Sequence, residues 1–118
     1  MWDVEFTNEF ELWWNALDES EQDAIAASVE LLRQLGPSLG CPPADTLKGS
    51  RNANMKELRT QHDGRPFGTF FVFDPRRTAI LLIAGDKSGD NRFYEKMIPI
   101  ADDLCETYLA ELRKEGLI

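Results

Sequence analysis

A carboxylate and a guanidinium lie two positions apart in residues 54–60, which read NMKELRT. Apolar and polar residues alternate there, which predicts a strand with Glu57 and Arg59 on one face and Leu58 on the other. A carboxylate can accept a proton and a guanidinium can hold a phosphate, so the pair suits phosphoryl chemistry. On frequency alone, a cross-strand ion pair of small energetic consequence is the commoner explanation.

Further candidate groups follow the last predicted strand, in residues 85–94, which read GDKSGDNRFY. A loop at a strand end can direct several side chains toward one point, and here these include Lys87, Arg92 and Tyr94. Tyr94 could stack on a base or transfer a proton. Equally, its ring could pack over the core with the hydroxyl in water.

Two more cations precede the Glu57 strand in TLKGSRN. Lys48 and Arg51 flank a glycine that lets a ligand approach the backbone closely, so they could grip phosphates. Solvated loop charges are the more frequent case for such residues. Lys56 on the strand either points inward with Leu58 or leaves at the edge, and Arg65 lies at the next turn.

Positive charge is concentrated in the middle of an acidic chain whose net charge is −8. Residues 1–47 hold one basic and ten acidic side chains, residues 48–98 hold ten basic and six acidic, and residues 99–118 hold two basic and five acidic. An evenly acidic surface would repel nucleic acid. This distribution instead favours a positioned encounter between one local patch and a phosphate-bearing partner.

Length and composition indicate one domain over residues 1–118, with ordinary hydrophobic content and no apolar run long enough for a bilayer. The acidic start of the sequence does not resemble an export signal, so we expect a cytoplasmic protein without membrane contact. Cys41 and Cys105 form neither a disulfide framework nor a zinc motif, and His62 is the only histidine. We therefore expect reduced thiols, no metal and no cofactor.

Hydrophobic periodicity predicts an α+β fold. WDVEF reads as a short strand, and two helices follow, the second opened by a capping box between Asp18 and Glu21 and ended at Gly36. Residues 36–54 read as a long loop, a feature that is often functional.

Three strands follow in the sequence as an antiparallel meander, NMKELRT, PFGTFFVFD and TAILLIAG, of which the last reads as central because it is apolar throughout. A final helix is expected to begin at Pro99. The prediction is a small, mainly antiparallel four-stranded sheet with two N-terminal helices and a C-terminal helix.

The order of LKGS, KELR, FDPRR, ILLIAGDK and RFYEKMIPIAD along the chain resembles the HigB branch of the RelE-type toxins of bacterial toxin–antitoxin systems. The resemblance covers nearly the whole chain. It implies a RelE-like fold and an endoribonuclease that cuts mRNA on the ribosome without a metal, by attack of the ribose 2′-hydroxyl on the adjacent phosphate. It also implies a cognate antitoxin with a helix-turn-helix domain, through which operator DNA would be contacted indirectly.

Carried over by position, the resemblance implies a base, a set of cations and a proton-transferring or stacking group at the cutting site. These are Glu57 as base, Arg59, Lys87 and Arg92 as cations, and Tyr94. It further implies that RNA is steered by the neighbouring basic residues Lys48, Arg51, Lys56 and Arg65.

One position departs from the family pattern. Gly68 in PFGTFF stands where relatives carry an arginine of the cutting site. Loss of such a contact typically costs about 2–4 kcal/mol of transition-state stabilisation. Arg65 could compensate only if the hairpin brings it over the same face, and the alternative is a catalytically silent relative that binds an antitoxin or RNA. A Gly68→Arg variant is expected to separate the two.

Overall fold

The computed structural model describes residues 1–118 as a five-stranded sheet with helices on both faces. The strand order is β1-β5-β4-β3-β2, in which β1 pairs with β5 in parallel and the other pairs are antiparallel. The strands are β1 (Asp3–Phe6), β2 (Ala44–Thr46), β3 (Lys56–His62), β4 (Arg65–Asp74) and β5 (Thr78–Asp86). The α+β class and the meander of β3, β4 and β5 are confirmed.

The sheet has one strand more than predicted. Strand β2 lies inside the predicted long loop and pairs with β3 over three residues, from Ala44 opposite Leu58 to Thr46 opposite Lys56. Three residues are too few for periodicity to reveal a strand, and Pro42 and Pro43 before it read as loop. Strand β5 is interior, as its apolar run indicates, but β4 is the middle strand of the five.

Helices α1 (Asn8–Asn15) and α2 (Glu19–Leu35) cover one face of the sheet. The Thr7 side chain caps α1 by accepting from the backbone N–H of Phe10, and the predicted capping box of Asp18 and Glu21 begins α2. Their apolar sides pack on one face of the meander. This first core includes Phe10, Ile25, Leu32, Leu58, Phe67, Phe71 and Leu81.

Helix α3 (Phe93–Lys114) covers the opposite face, over a second core that includes Phe70, Val72, Ile80, Leu82 and Cys105. The prediction that this helix begins at Pro99 is wrong, because Pro99 lies inside it. Phe93 is buried against Phe70, with ring centroids 5.8 Å apart, so tertiary packing begins the helix six residues before the proline. None of the helices is both long and apolar enough to span a membrane.

Candidate functional site

Glu57 lies on the α3 face of the sheet, and its side chain is only 1 % exposed. Its neighbours on the adjoining strands are Asp45 in β2 and Phe70 in β4. The alternation in residues 54–60 predicts Leu58 on the core side of the strand and a polar surface on the other side. The second half of this prediction is wrong for Glu57, because the start of α3 covers it, and a buried carboxylate must be compensated by donors or cations.

Three side chains from different parts of the chain bind the Glu57 carboxylate. Lys87, just after β5, lies 3.0 Å from Oε2, and Arg59 on the same strand lies 3.3 Å from Oε1 through Nε. The Tyr94 hydroxyl at the start of α3 donates to Oε1 at 2.8 Å and accepts from Lys87 Nζ at 3.1 Å. The structure thus brings together four of the five predicted catalytic residues in what we call the Glu57 cluster: Glu57, Arg59, Lys87 and Tyr94.

Two paired glycines make room for this cluster. Gly68 in β4 faces Gly85 in β5, so the sheet has no side chains beside Arg59 at this level. A Cβ at Gly68 would overlap Glu57 Oε2, and one at Gly85 would lie 2.9 Å from the Phe93 ring. The departure at Gly68 therefore has a local physical reason: the Glu57 carboxylate occupies the space above it.

The charge on the cluster cations is stabilised by their partners. Burial lowers the pKa of Lys87, but its hydrogen bonds with Tyr94 and Glu57 outweigh burial and raise that pKa above the usual value. The pKa of Arg59 is likewise raised, since its interactions with Glu57 and Asp45 outweigh desolvation. Both cations are therefore charged at neutral pH, and both are partly open to solvent, Lys87 at 16 % and Arg59 at 37 % of the side chain.

Tyr94 forms the exposed wall of the cluster. Its ring stacks on Phe70 with an interplanar angle of 8°, and Lys87 Nζ lies 5.4 Å from its centroid. A shallow groove of about 370 Å³ runs from Tyr94 along the start of α3 to Lys48. An elongated ligand laid in this groove would meet Tyr94 at one end and Lys48 at the other, with Glu95 and Asp102 also in the lining.

Arg51 lines the same groove but is held by acids of α3. Its guanidinium lies 2.7 Å from Asp103 and 3.0 Å from Glu106, and hydrogen bonds to Glu106 and Asp103 raise its pKa. Its backbone N–H donates to the buried Asp102, which also accepts from Ser50. These contacts hold the loop against α3, and they leave the Arg51 guanidinium paired with Asp103 and Glu106.

The remaining predicted residues lie outside the cluster. Arg65 points to the opposite face, where its guanidinium lies over Phe67 and bonds Glu21 at 2.7 Å, so it does not replace a cation above Gly68. Lys56 shares the face of Leu58, away from Glu57. Arg92 is exposed at the start of α3, and its side chain makes no hydrogen bond or ion pair with the cluster.

Sequence reasoning missed Asp45 and Phe70 as neighbours of the site. Asp45 binds Arg59 at 3.2 Å, but it depends on the short strand β2, which has no periodic signal. Phe70 could have been found, because Asp63-Gly64 is a two-residue hairpin turn that pairs His62 with Arg65. Counting back from that pair places Phe70 opposite Glu57 and Gly68 opposite Arg59.

The model of one family, Phage derived protein Gp49-like (DUF891), matches residues 12–106 of the sequence. The chain belongs to this Gp49-like family. HigB2 of Mycobacterium tuberculosis is 44 % identical to this Gp49-like chain over 101 residues, which are 84 % of the chain and 50 % of HigB2. HigB3 of the same organism is 43 % identical over 101 residues, which are 85 % of the chain and 87 % of HigB3. Both relatives carry the name of toxins, and the chain spans about half the length of HigB2.

Solved structures with the same fold are RelE toxins. Isolated RelE of E. coli matches with a TM-score of 0.59 and 9 % identity over 85 % of this Gp49-like chain and 99 % of RelE. A chain of the E. coli RelBE toxin–antitoxin complex matches with a TM-score of 0.56 and 9 % identity, over 72 % of this chain and 95 % of the matched chain. The archaeal RelE–RelB complex of Pyrococcus horikoshii matches with a TM-score of 0.53 and 9 % identity, over 75 % of this chain and 97 % of the matched chain. The RelE-like fold is confirmed by these likenesses.

Proposed function

We propose that the protein is the toxin of a toxin–antitoxin pair and an endoribonuclease that cuts mRNA on the ribosome. One observation carries the catalytic part: a carboxylate, two partly exposed cations and a phenol converge within 2.8–3.3 Å. The names of the relatives HigB2 and HigB3 support the toxin part. The runner-up function is a silent relative with the same fold.

The chemistry requires a proton acceptor, stabilisation of negative charge and a proton donor. In the proposed reaction Glu57 takes the proton of the ribose 2′-hydroxyl, the O2′–P bond forms, and the P–O5′ bond breaks. Lys87 and Arg59 stabilise the charge on the non-bridging oxygens. Tyr94 donates a proton to the leaving 5′-oxygen and is placed to regain one from Lys87, 3.1 Å away.

RNA must loosen the Glu57 cluster before it can react. Both Glu57 oxygens are already hydrogen-bonded, so a phosphate has to take over the contacts of Lys87 and Arg59 and thereby free an oxygen as base. Both cations reach solvent, which makes this exchange physically accessible. Positioning of the message by the ribosome would lower its entropic cost.

The proposed partners follow from the same assignment. RelE of E. coli and of P. horikoshii are found in complexes with RelB, so we propose a cognate antitoxin for this chain, with a helix-turn-helix domain that contacts operator DNA. The ribosome and mRNA are the proposed targets, which places the activity in the cytoplasm. Lys48 and Arg92 remain proposed RNA contacts at the rim, where both are exposed.

Inducible expression in bacteria tests the function, combined with cleavage assays on purified ribosomes programmed with message. We expect growth arrest that a co-expressed neighbouring gene relieves, and cleavage that Lys87→Met reduces about a hundredfold. Lys114→Met, which removes the same charge from the far end of α3, should cleave like the parent. Cleavage unaffected by Lys87→Met would remove the Glu57 cluster from the reaction.

The silent-relative alternative is favoured by one feature, the occupation of the anion-binding groups by the chain's own carboxylate. It predicts no cleavage and no arrest, with antitoxin or RNA binding retained. Gly68→Arg does not separate the two functions cleanly, because any side chain at that position overlaps Glu57 and would displace it. Lys87→Met is the better variant, since the enzyme proposal predicts a loss of cleavage from it and the change adds no atoms to the sheet.

A further inference from the structure

We propose that the open edge of β1 is the docking site for a basic, apolar-alternating strand of a partner protein. The site is a groove of about 850 Å³ between β1, α1 and α2, on the face of the sheet opposite the Glu57 cluster. That this partner is an antitoxin rests on the proposed function. The geometry of the groove does not depend on it.

The backbone of β1 offers unused hydrogen-bonding groups. In the parallel pairing with β5, the N–H groups of Asp3 and Thr7 donate to Arg77 and Leu81, so odd-numbered residues of β1 face β5. Val4 and Phe6 therefore direct their N–H and C=O groups to the other side, where no strand pairs with them. An unpaired edge of this kind can accept one further strand.

The groove beside this edge has an apolar floor. Phe10 and Leu81 of the first core line it, with Val29 of α2 and Trp14 of α1. Phe6, on the edge itself, is 48 % exposed although it is a large aromatic residue. Alternate side chains of an added strand would cover Phe6 and contact this floor.

Carboxylates surround the floor and set the charge of the partner. Of the four acidic side chains that line the groove, Glu30 is paired with Arg33 at 2.8 Å and Glu5 with Arg76 at 2.9 Å, so Asp3 and Glu11 give the lining its net negative charge. The first 47 residues carry ten acidic side chains and one basic, so the wider surface has the same sign. Complementarity favours a partner strand in which Lys or Arg alternates with Val, Leu or Ile.

The proposed partner strand and RNA would bind at different places on the protein. RNA would approach Lys87 and Arg59 on the α3 face, whereas the proposed strand would bind the acidic edge of β1. The two ligands differ in charge and do not share lining residues. A short strand bound at β1 would therefore leave the Glu57 cluster open, and other parts of a partner would have to cover it.

The test uses the isotope-labelled full chain and an end-blocked eight-residue peptide of alternating Val and Lys, followed by NMR titration and amide hydrogen exchange. We expect shifts confined to β1, α1 and α2, and at least tenfold slower exchange at Val4 and Phe6 in the saturated complex. A peptide with Glu in place of Lys should not bind. Shifts centred on Lys87 and Tyr94, or equal binding of both peptides, would overturn the proposal.

Variants separate the backbone and charge components. Val4→Pro deletes an N–H that β5 does not use and should weaken peptide binding at least tenfold. If that variant does not fold, Glu11→Lys with Glu30→Lys should weaken it as much, while Glu111→Lys on the exposed side of α3 should not. Parent-like affinity of these variants, or concentration-dependent dimers that protect Val4 and Phe6, would contradict a heterologous partner strand. Ribosomal cleavage is not used in this test, so its outcome is independent of the enzyme proposal.

Discussion

The α3 face of the sheet holds two carboxylate clusters with similar side chains and opposite charge ratios. In the Glu57 cluster one buried carboxylate meets two cations and Tyr94. In the second, the Glu5 cluster, Arg76 lies 2.9 Å from Glu5 and also bonds the buried Asp74, while the Tyr108 hydroxyl donates to Glu5 at 2.7 Å. One cation there serves two carboxylates.

This difference in charge ratio distinguishes a candidate functional site from a structural ion-pair cluster. At Glu5, hydrogen bonds from Arg76 and then Tyr108 outweigh burial and lower the pKa of the carboxyl, and four of the five guanidinium N–H groups are already bonded to Glu5 and Asp74. At Glu57, two cations face one buried carboxylate. Lys87 and Arg59 are also partly exposed to solvent, and Arg59 contacts the half-exposed Asp45. A tyrosine from α3 completes each cluster, so the charge ratio carries the functional distinction.

The largest expected contrast is in stability. Glu57→Gln leaves Lys87 facing a neutral amide in a mostly buried site, and we expect a loss of about 3 kcal/mol in the free energy of unfolding. Glu5→Gln should cost under about 1 kcal/mol, since Glu5 is 37 % exposed and Arg76 keeps Asp74. Urea denaturation of both variants at pH 7 measures this. Equal losses would end the distinction between the clusters.

A smaller effect tests the space above Gly68. Gly68→Ala should cost about 1–3 kcal/mol, because its Cβ forces the Glu57 carboxylate from its donors. In a Glu57→Ala background the same change meets only Phe93, 3.4 Å away, and should cost under about 0.5 kcal/mol. The double-mutant cycle is read from the same denaturation curves. Additive losses would show that Glu57 does not occupy that space.

The smallest effect is a pH dependence at the Glu5 cluster. The folded pKa of Glu5 is lowered from its usual value, chiefly by the hydrogen bond from Arg76, so its stabilisation is complete above the unfolded pKa and disappears as the pH falls through the folded pKa. The difference between parent and Glu5→Gln, under about 1 kcal/mol at pH 7, should therefore shrink as the solution is made acidic enough to protonate glutamate. Denaturation midpoints of both proteins from pH 3 to pH 7 measure this difference. A difference that widens on acidification would contradict a lowered pKa of Glu5.

Much of the scaffold could be predicted from local signals. The capping box at Asp18 and Glu21 is short-range chemistry and is confirmed, and the turn at Asp63-Gly64 carries a signal of the same kind. The start of α3 was missed because burial of Phe93 against Phe70 outweighs the tendency of Pro99 to begin a helix. Strand β2 was missed because its pairing with β3 is a long-range contact of only three residues.

The site could be predicted in part. Glu57 and Arg59 were singled out by alternation on one strand, and Lys87 and Tyr94 by their loop, but no local pattern shows that they meet. The separation of Arg65 from them follows from side-chain alternation once the hairpin register is known, since residues 65 and 67 share a face opposite to Gly68. The capture of Arg51 by Asp103 and Glu106 depends on how α3 packs, and the sequence has no signal for it.

The most direct test of the central claim compares two tyrosines of α3 in single-turnover cleavage of message on programmed ribosomes. Tyr94→Phe removes the hydroxyl that links Glu57 and Lys87, and should slow cleavage about a hundredfold, as expected for loss of a proton-transferring group. Tyr108→Phe removes the equivalent hydroxyl from the Glu5 cluster and should leave the rate within about twofold of the parent. Equal rates for the two variants, or a greater loss with Tyr108→Phe, would contradict the assignment of the Glu57 cluster as the cutting site.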